Sequence, residues 1–367
     1  MTVALPVLSS AGQGPTWAPA WAAGPRSLGA VRLLRISLTD RCNLRCLYCM
    51  PDEGLDFADR ADVLSADDLL AVASVARDAG VTHFKLTGGE PTLRPDLPEI
   101  VRRLRELGPA AGPDAVEISM TTNGLRLGRG DLAARLADAG LDRVTLSLDA
   151  LNEASFARLT GGRGFRLADV WRGVDAAEAA GLGRLKLNVV VVGGVNDDAV
   201  TGFAALTRDR PWTVRFIEYM PLGESTLTRA RAGLPGGAAP FTVDNAEIRR
   251  RIAAEHGPLR RLDRGAAGEP GVGPAELYAL QGAAGRLGFI SAMSRPFCET
   301  CNRLRLTATG ELRACLFDGG EVSVLDELRH PGGPRPAALR DAMARCVAQK
   351  PETHAPVGNR AMSQLGG

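Results

Sequence analysis

Lysine is nearly absent. Three of the 44 basic residues are lysines, Lys85, Lys186 and Lys350, and every other one is arginine. Charge of one sign is lacking too. Lys+Arg 44 against Asp+Glu 42 leaves a net +2, too small a field to draw nucleic acid. No apolar run reaches the ~18 residues of a membrane span. Residues 1–30, rich in Ala, Gly, Pro and Ser, lack the basic start and continuous apolar stretch of a secretory signal. They read as a flexible extension, in which Trp17 and Trp21 are candidates for docking at a place the sequence does not specify. A disulfide framework is excluded as well, because seven cysteines are odd in number and clustered. The expectation is a cytoplasmic chain in a reducing compartment, with neither nucleic acid nor membrane as partner.

What is present begins with Asp40-Arg41-Cys42-Asn43-Leu44-Arg45-Cys46-Leu47-Tyr48-Cys49-Met50-Pro51. Three thiolates spaced Cys-x3-Cys-x2-Cys suit a soft metal centre. Structural zinc takes four protein ligands, but no fourth Cys or His lies nearby, His83 being the closest histidine. Three ligands on a cubane iron–sulfur cluster would leave one iron open to a small molecule.

From residue 31 a strand–helix alternation follows. Candidate strands are 31–39, 81–87, 115–121, 143–149, 185–191 and 213–219. Helical spacing falls at 64–79, 96–107, 131–139, 167–180 and 198–208. The alternation predicts right-handed βαβ units and a parallel sheet. Six units are two short of a closed barrel, so an incomplete (βα)6 TIM-like barrel is expected, with a C-terminal region appended.

The strands also alternate in polarity, unlike strands buried on both faces. Arg35, Ser37 and Thr39 oppose Leu34, Ile36 and Leu38; His83, Lys85 and Thr87 oppose Phe84 and Leu86. Glu117, Ser119 and Thr121, then Thr145, Ser147 and Asp149, then Lys186 and Asn188 repeat the pattern. A simply wet face is the bland alternative, but it conflicts with βαβ topology. A lumen lined for a polar ligand accounts for both, and burying Lys85 or Lys186 calls for an anionic one. Such ligands sit at the carboxyl ends of the strands, where the cysteine trio also falls.

Beyond Met220 the residues 222–242 read as a linker, helical spacing returns at 244–255, and 265–274 is again irregular. The region 243–367 carries a second trio, Cys298-x2-Cys301 and, after thirteen intervening residues, Cys315, flanked by Arg303 and Arg305. A zinc site completed by a distant residue is the alternative to a second cluster. Cys346 shares a helical face with Leu339 and Met343 and reads as a buried thiol.

The first trio, with Tyr48 before its third cysteine, together with Thr87-Gly88-Gly89-Glu90-Pro91, resembles the radical S-adenosylmethionine superfamily. Asp40-Arg41-Cys42-Asn43, Arg215-Phe216-Ile217-Glu218-Tyr219-Met220-Pro221, Cys298-x2-Cys301-Asn302-Arg303-x-Arg305 and Gly366-Gly367 narrow this. Together they resemble the GTP 3′,8-cyclase family, which starts molybdenum cofactor biosynthesis. The resemblance implies a radical SAM barrel over 31–221 and two [4Fe-4S] clusters. Cys42, Cys46 and Cys49 would hold the one that chelates S-adenosylmethionine, and Cys298, Cys301 and Cys315 the one that accepts GTP. Tyr48, Gly88, Gly89, Glu90, Ser147 and Met220 fall where the family contacts S-adenosylmethionine. Arg35, Lys85, Thr121, Lys186, Arg215, Arg303, Leu304 and Arg305 fall at the GTP site, and Gly366 and Gly367 form a tail reaching the active site. It further implies a homodimer and a reductase- or flavodoxin-type electron donor. The chain departs at Lys85, where arginine is commoner, at Leu44, a usual aromatic, and at Thr92, a usual leucine. The runner-up is a radical S-adenosylmethionine enzyme acting on a peptide or another small molecule; a non-catalytic metal scaffold is the remaining alternative.

Overall fold

Alternating strands with one apolar face must bury it, and helices returning between parallel strands are the covering layer. The computed structural model has this arrangement, and it describes residues 24–51, 56–112, 114–182, 185–234, 241–263, 272–317 and 321–366. Trp17, Trp21, Gly367, part of the 222–242 linker and most of 265–274 lie outside them. The strands are β1 Leu33–Ser37, β2 His83–Thr87, β3 Glu117–Thr122, β4 Arg143–Ser147, β5 Lys186–Val191 and β6 Thr213–Glu218. Six more follow: β7 Leu259–Leu262, β8 Glu276–Leu280, β9 Arg286–Ile290, β10 Arg303–Leu306, β11 Glu311–Arg313 and β12 Val322–Ser323. The helices are α1 Ala66–Asp78, α2 Leu97–Arg105, α3 Leu132–Asp138, α4 Glu153–Thr160, α5 Leu167–Ala179 and α6 Val200–Asp209. Then come α7 Arg229–Ala232, α8 Asn245–His256, α9 Leu325–Leu328, α10 Pro336–Ala348 and α11 Met362–Leu365. No helix among the described residues is long and apolar enough to cross a membrane.

All twelve strands form one sheet, ordered β12-β11-β10-β1-β2-β3-β4-β5-β6-β9-β8-β7. The six expected strands are parallel neighbours in chain order. Two further strands extend the parallel run, β10 beside β1 and β9 beside β6. Sequence reading missed both, because no covering helix separates them and the chain reaches them only after closing the six-strand series. Among the described residues nothing pairs β9 with β10, so the barrel stays open. The short connection between these strands spans that opening and carries Cys298 and Cys301.

The apolar faces pack as the alternation requires. Leu34, Ile36, Phe84, Leu86, Ile118, Met120, Val144, Leu146 and Leu187 are all fully buried beneath the helices, each contributing roughly 1.5–3 kcal/mol of transfer free energy. Ser65 caps α1 in a reciprocal capping box with Asp68, fixing where the chain turns back after the cysteine loop. Cys346 lies in the core on α10 near Leu339 and Met343, as its spacing places it.

Candidate active site

The opposite face of the sheet is the site. Arg35, Lys85, Ser119, Thr121, Ser147, Lys186, Asn188 and Arg215 project from successive parallel strands into one cavity. Both cysteine trios line it, as do Tyr48, Gly88, Gly89, Glu90, Met220, Arg303 and Arg305. Strand register puts the basic side chains level: Arg35 pairs with Lys85 on one side and Arg305 on the other. Leu304 is the exception among the expected residues. It lies between two inward-facing arginines on β10, so alternation sends its side chain into the core, where it is fully buried. Only its main chain remains on offer to a ligand.

The first trio occupies the loop after β1. Leu47 N and Arg45 N donate to the carbonyls of Leu159 (3.0 Å) and Thr160 (3.0 Å), so the loop rests on the end of α4. Arg45 Nη1 donates to the Cys42 carbonyl at 2.7 Å and holds the loop's first turn. Gly88 and Gly89 are required for a second support. A Cβ on Gly89 would stand 2.3 Å from the Arg41 carbonyl oxygen, and one on Gly88, at φ +157°, 2.6 Å from that of Thr39. The motif is therefore glycine because it presses on the backbone of the cysteine loop, to which Gly89 N donates at 2.6 Å.

Glu90 is buried and accepts four hydrogen bonds: Thr92 N (3.1 Å) and Oγ1 (2.5 Å), Thr122 Oγ1 (2.6 Å) and Asn123 N (2.8 Å). Thr92, one of the departures, thus gains a purpose as a second donor to Glu90. Asn123 Nδ2 reaches back to Asn43 Oδ1 at 2.8 Å, completing a chain from the carboxylate to the cysteine loop. Tyr48 is fixed from the other side, its hydroxyl donating to Asp149 Oδ2 at 2.5 Å. Burial pushes Asp149 up to about 6, against the pull of its bonds from Tyr48 and Val190. Burial also pushes the Cys42 thiol up to about 11, with Glu90 adding to the effect. Bare thiolates are thus disfavoured here, and bound iron would supply the missing positive charge.

The second trio is surrounded differently. Burial alone would raise Cys301, but Arg303 and Lys350 beside it bring its thiol down to about 7. Arg305 is pulled down to about 10 by burial and by the neighbouring Arg303. Burial and the crowd of Arg305, Arg303 and Arg215 lower Arg35, and burial with Arg215, Arg143, Arg35 and Lys186 lowers Lys85. An anion entering among these cations would relieve both their burial and their mutual repulsion. Three buried polar atoms on the same lining, Thr121 Oγ1, Asn188 Oδ1 and Arg305 Nη1, have no hydrogen-bond partner, which marks places for a ligand's polar groups.

Three soft thiolates in each trio are a donor set that fits an iron–sulfur cluster.

The C-terminus enters the same chamber. Thr87 Oγ1 (3.2 Å) and Arg35 Nη2 (3.4 Å) donate to the Gly366 carbonyl, deep beside β1 and β2. Gly366 has φ +69°, and a Cβ there would meet Thr87 Oγ1 at 2.7 Å and Ser37 Cβ at 2.8 Å. Side chain and backbone conformation both demand glycine.

A family model described as the radical SAM superfamily matches residues 36–206, and one described as molybdenum cofactor synthesis C matches residues 212–356. The GTP 3′,8-cyclase of Pelotomaculum thermopropionicum is 42% identical over 341 residues, covering 92% of this chain and 98% of that protein. The GTP 3′,8-cyclase of Picosynechococcus sp. is also 42% identical, over 93% of this chain and all of that protein. The chain belongs to the GTP 3′,8-cyclase family. Among solved structures, Streptococcus suis SuiB bound to S-adenosylmethionine shares the fold, with a TM-score of 0.54 at 15% identity. The alignment covers 81% of this chain but only 64% of that one.

Set against the family pattern, Asn123 and Asp149 are the additions that geometry supplies, and Asn43, already in the motif, gains a partner in Asn123. Asp149 was visible as the last inward residue after β4, but its pairing with Tyr48 spans 101 residues and left no local trace.

Proposed function

We propose that this chain converts GTP to (8S)-3′,8-cyclo-7,8-dihydroguanosine 5′-triphosphate, the first step of molybdenum cofactor biosynthesis. The observation that carries the reading is one cavity lined by two cysteine trios and by the inward cations of the sheet. Cys42, Cys46 and Cys49 would hold a [4Fe-4S] cluster and leave one iron for S-adenosylmethionine. Cys298, Cys301 and Cys315 would hold the second cluster facing it. When bound, the first cluster and S-adenosylmethionine supply a 5′-deoxyadenosyl radical; the residues around them supply position, charge and exclusion of water.

Each part of the lining has a task under this reading. Tyr48, Gly88, Gly89, Glu90, Ser147 and Met220 border the cofactor half. Glu90, already engaged by four donors, shapes that wall through Thr122 and Asn123 and presents negative charge to an amino group. Arg35, Lys85, Lys186, Arg215, Arg303 and Arg305 neutralise the triphosphate and fix the base, with Thr121 offering its unpartnered hydroxyl. In the tail of Gly366 and Gly367, Gly366 closes the chamber against Arg35 and Thr87. The division into a barrel over 31–221, a linker over 222–242 and a cluster-bearing region over 243–367 belongs to the same proposal. So do a homodimer, a reductase- or flavodoxin-type electron donor and a cytoplasmic location, where a reducing environment keeps seven cysteines out of disulfides.

The direct test is anaerobic incubation of iron- and sulfide-reconstituted protein with GTP, S-adenosylmethionine and dithionite. Equal amounts of 5′-deoxyadenosine and a cyclised guanosine triphosphate are expected. Deoxyadenosine without a cyclised nucleotide, or none at all, removes the GTP assignment.

A further inference from the structure

All three lysines of this lysine-poor chain line the cavity. Lys85 and Lys186 stand on barrel strands among the cations assigned to the nucleotide. Lys350 does not. It follows α10, is 4% exposed, and its ammonium donates to the Cys301 carbonyl at 2.9 Å. Its own carbonyl is held by Arg26 Nε at 2.9 Å, so the backbone that presents it is pinned.

None of the ion pairs formed by the described residues includes Lys350. Burial works against its charge, and the strongest influences from ionisable groups come from Cys301, Arg303, Cys346 and Cys315. A buried ammonium beside another cation, with sulfur near it and no carboxylate paired with it among the described residues, is an arrangement that an anion would complete. A lysine just past a helix could instead serve the helix dipole, but this one reaches across to Cys301, 49 residues away, and not to the carbonyls of α10.

We propose that Lys350 is the counter-cation of the second cluster, fixing the Cys301 turn and holding positive charge against thiolate-ligated irons. The inference rests on the two-cluster reading above. Adding an electron makes a cluster more negative, so a fixed cation beside it favours the reduced form and raises its reduction potential. A compact ammonium can satisfy one carbonyl and still face the sulfur atoms, and an arginine in its place would keep the charge. Lys350 is thereby a positioning residue acting on the cluster, and its signature is a potential rather than a rate.

The test uses the full chain with Cys42, Cys46 and Cys49 all replaced by alanine, reconstituted anaerobically so that only the second trio can carry a cluster. The midpoint is then followed by EPR during a dithionite titration without GTP. K350Q, which keeps a donor for the Cys301 carbonyl but loses the charge, should load about four irons. Its reduced-to-oxidised ratio at fixed potential should fall at least about tenfold, which is 59 mV downward for one electron. K350M should behave likewise, and K350R should stay near the parent. Loading lost in K350Q but kept in K350R also supports the charge. An unmoved midpoint in loaded K350Q, or equal failure of K350R and K350M to load, overturns the role of Lys350. A parent protein that binds no iron would overturn the two-cluster reading itself.

Discussion

The two cysteine trios face one cavity from unlike surroundings. The first is compact in sequence, sits on a loop braced by α4 and by the Gly88–Gly89 backbone, and has Glu90 and Asp149 for neighbours. The second is assembled from the β9–β10 connection and the segment after β11, and has Arg303, Arg305 and Lys350 beside it. The contrast is sharpest between two thiols: burial and Glu90 push Cys42 up to about 11, while Arg303 and Lys350 bring Cys301 down to about 7 against its burial; Cys298 of the second trio is raised by burial. Charge, more than ligand count, divides the labour. A cofactor carrying an ammonium and a sulfonium suits the acidic half, and a triphosphate suits the basic half.

Removing one trio at a time should break the comparison most completely. Cys46→Ala is expected to abolish 5′-deoxyadenosine formation while the second trio still binds iron. Cys301→Ala should keep deoxyadenosine formation and lose the cyclised nucleotide. Each loss should exceed about 100-fold, beyond what residues surrounding a metal's ligands typically cost when changed. Liquid chromatography of both products, with iron analysis, reads the outcome; the same defect from both variants would end the division of labour.

A smaller effect falls on Arg305, which is 5% exposed and carries an unpartnered Nη1. Arg305→Ala should weaken GTP binding by about 10- to 100-fold, the value of one or two charge-assisted hydrogen bonds. S-adenosylmethionine binding should stay within about twofold on the same basis. Calorimetry of the reconstituted protein with each ligand separates the two.

The thiol contrast can be measured without either ligand. In cluster-free protein at pH 8, Cys301 is mostly thiolate and Cys42 almost wholly thiol, so iodoacetamide should modify Cys301 at least about tenfold faster. Raising the pH to 10 leaves Cys301 saturated as thiolate while Cys42 gains it, and should shrink the ratio. Arg303→Gln should raise the Cys301 thiol and do the same at pH 8. Peptide mass spectrometry over time follows both sites, and equal rates at pH 8 would contradict the electrostatic asymmetry.

Much of this chamber was legible beforehand. Arg35, Lys85, Thr121, Ser147 and Lys186 share a face because side chains alternate along a strand, a rule needing no tertiary knowledge. The same parity would have sent Leu304 inward to the core, had it been applied to β10. That strand went unread because its partner β1 lies 270 residues earlier, Arg303 pairing with Leu33. Long-range pairing also hid Tyr48–Asp149 and the link from Asn43 through Asn123 to Glu90. The glycines were legible as glycines, but not their reason, since only the fold shows which backbone they press against.

The helix α4 went unread for a different cause: eight residues give too short a period for a pattern. Its end signals were nevertheless in the sequence. Asn152 Oδ1 accepts from Ser155 N at 2.9 Å as the N-cap, and Gly161 ends the helix at φ +77°. A Cβ at Gly161 would lie 2.8 Å from the Arg45 carbonyl oxygen, so the cap is shaped by the cysteine loop it carries. Asn152→Ala should cost about 1 kcal/mol of stability, the usual value of a lost cap, which guanidinium denaturation of the cluster-free protein can resolve. The more telling consequence is regional. Fraying α4 loosens the carbonyls of Leu159 and Thr160 that hold Leu47 and Arg45, and nothing in that chain of contacts reaches Cys298, Cys301 or Cys315. Iron should therefore leave the first trio to a chelator several-fold faster in the variant, while the second trio keeps its wild-type rate. Equal acceleration at both would mean that α4 supports the barrel as a whole and not the loop resting on it.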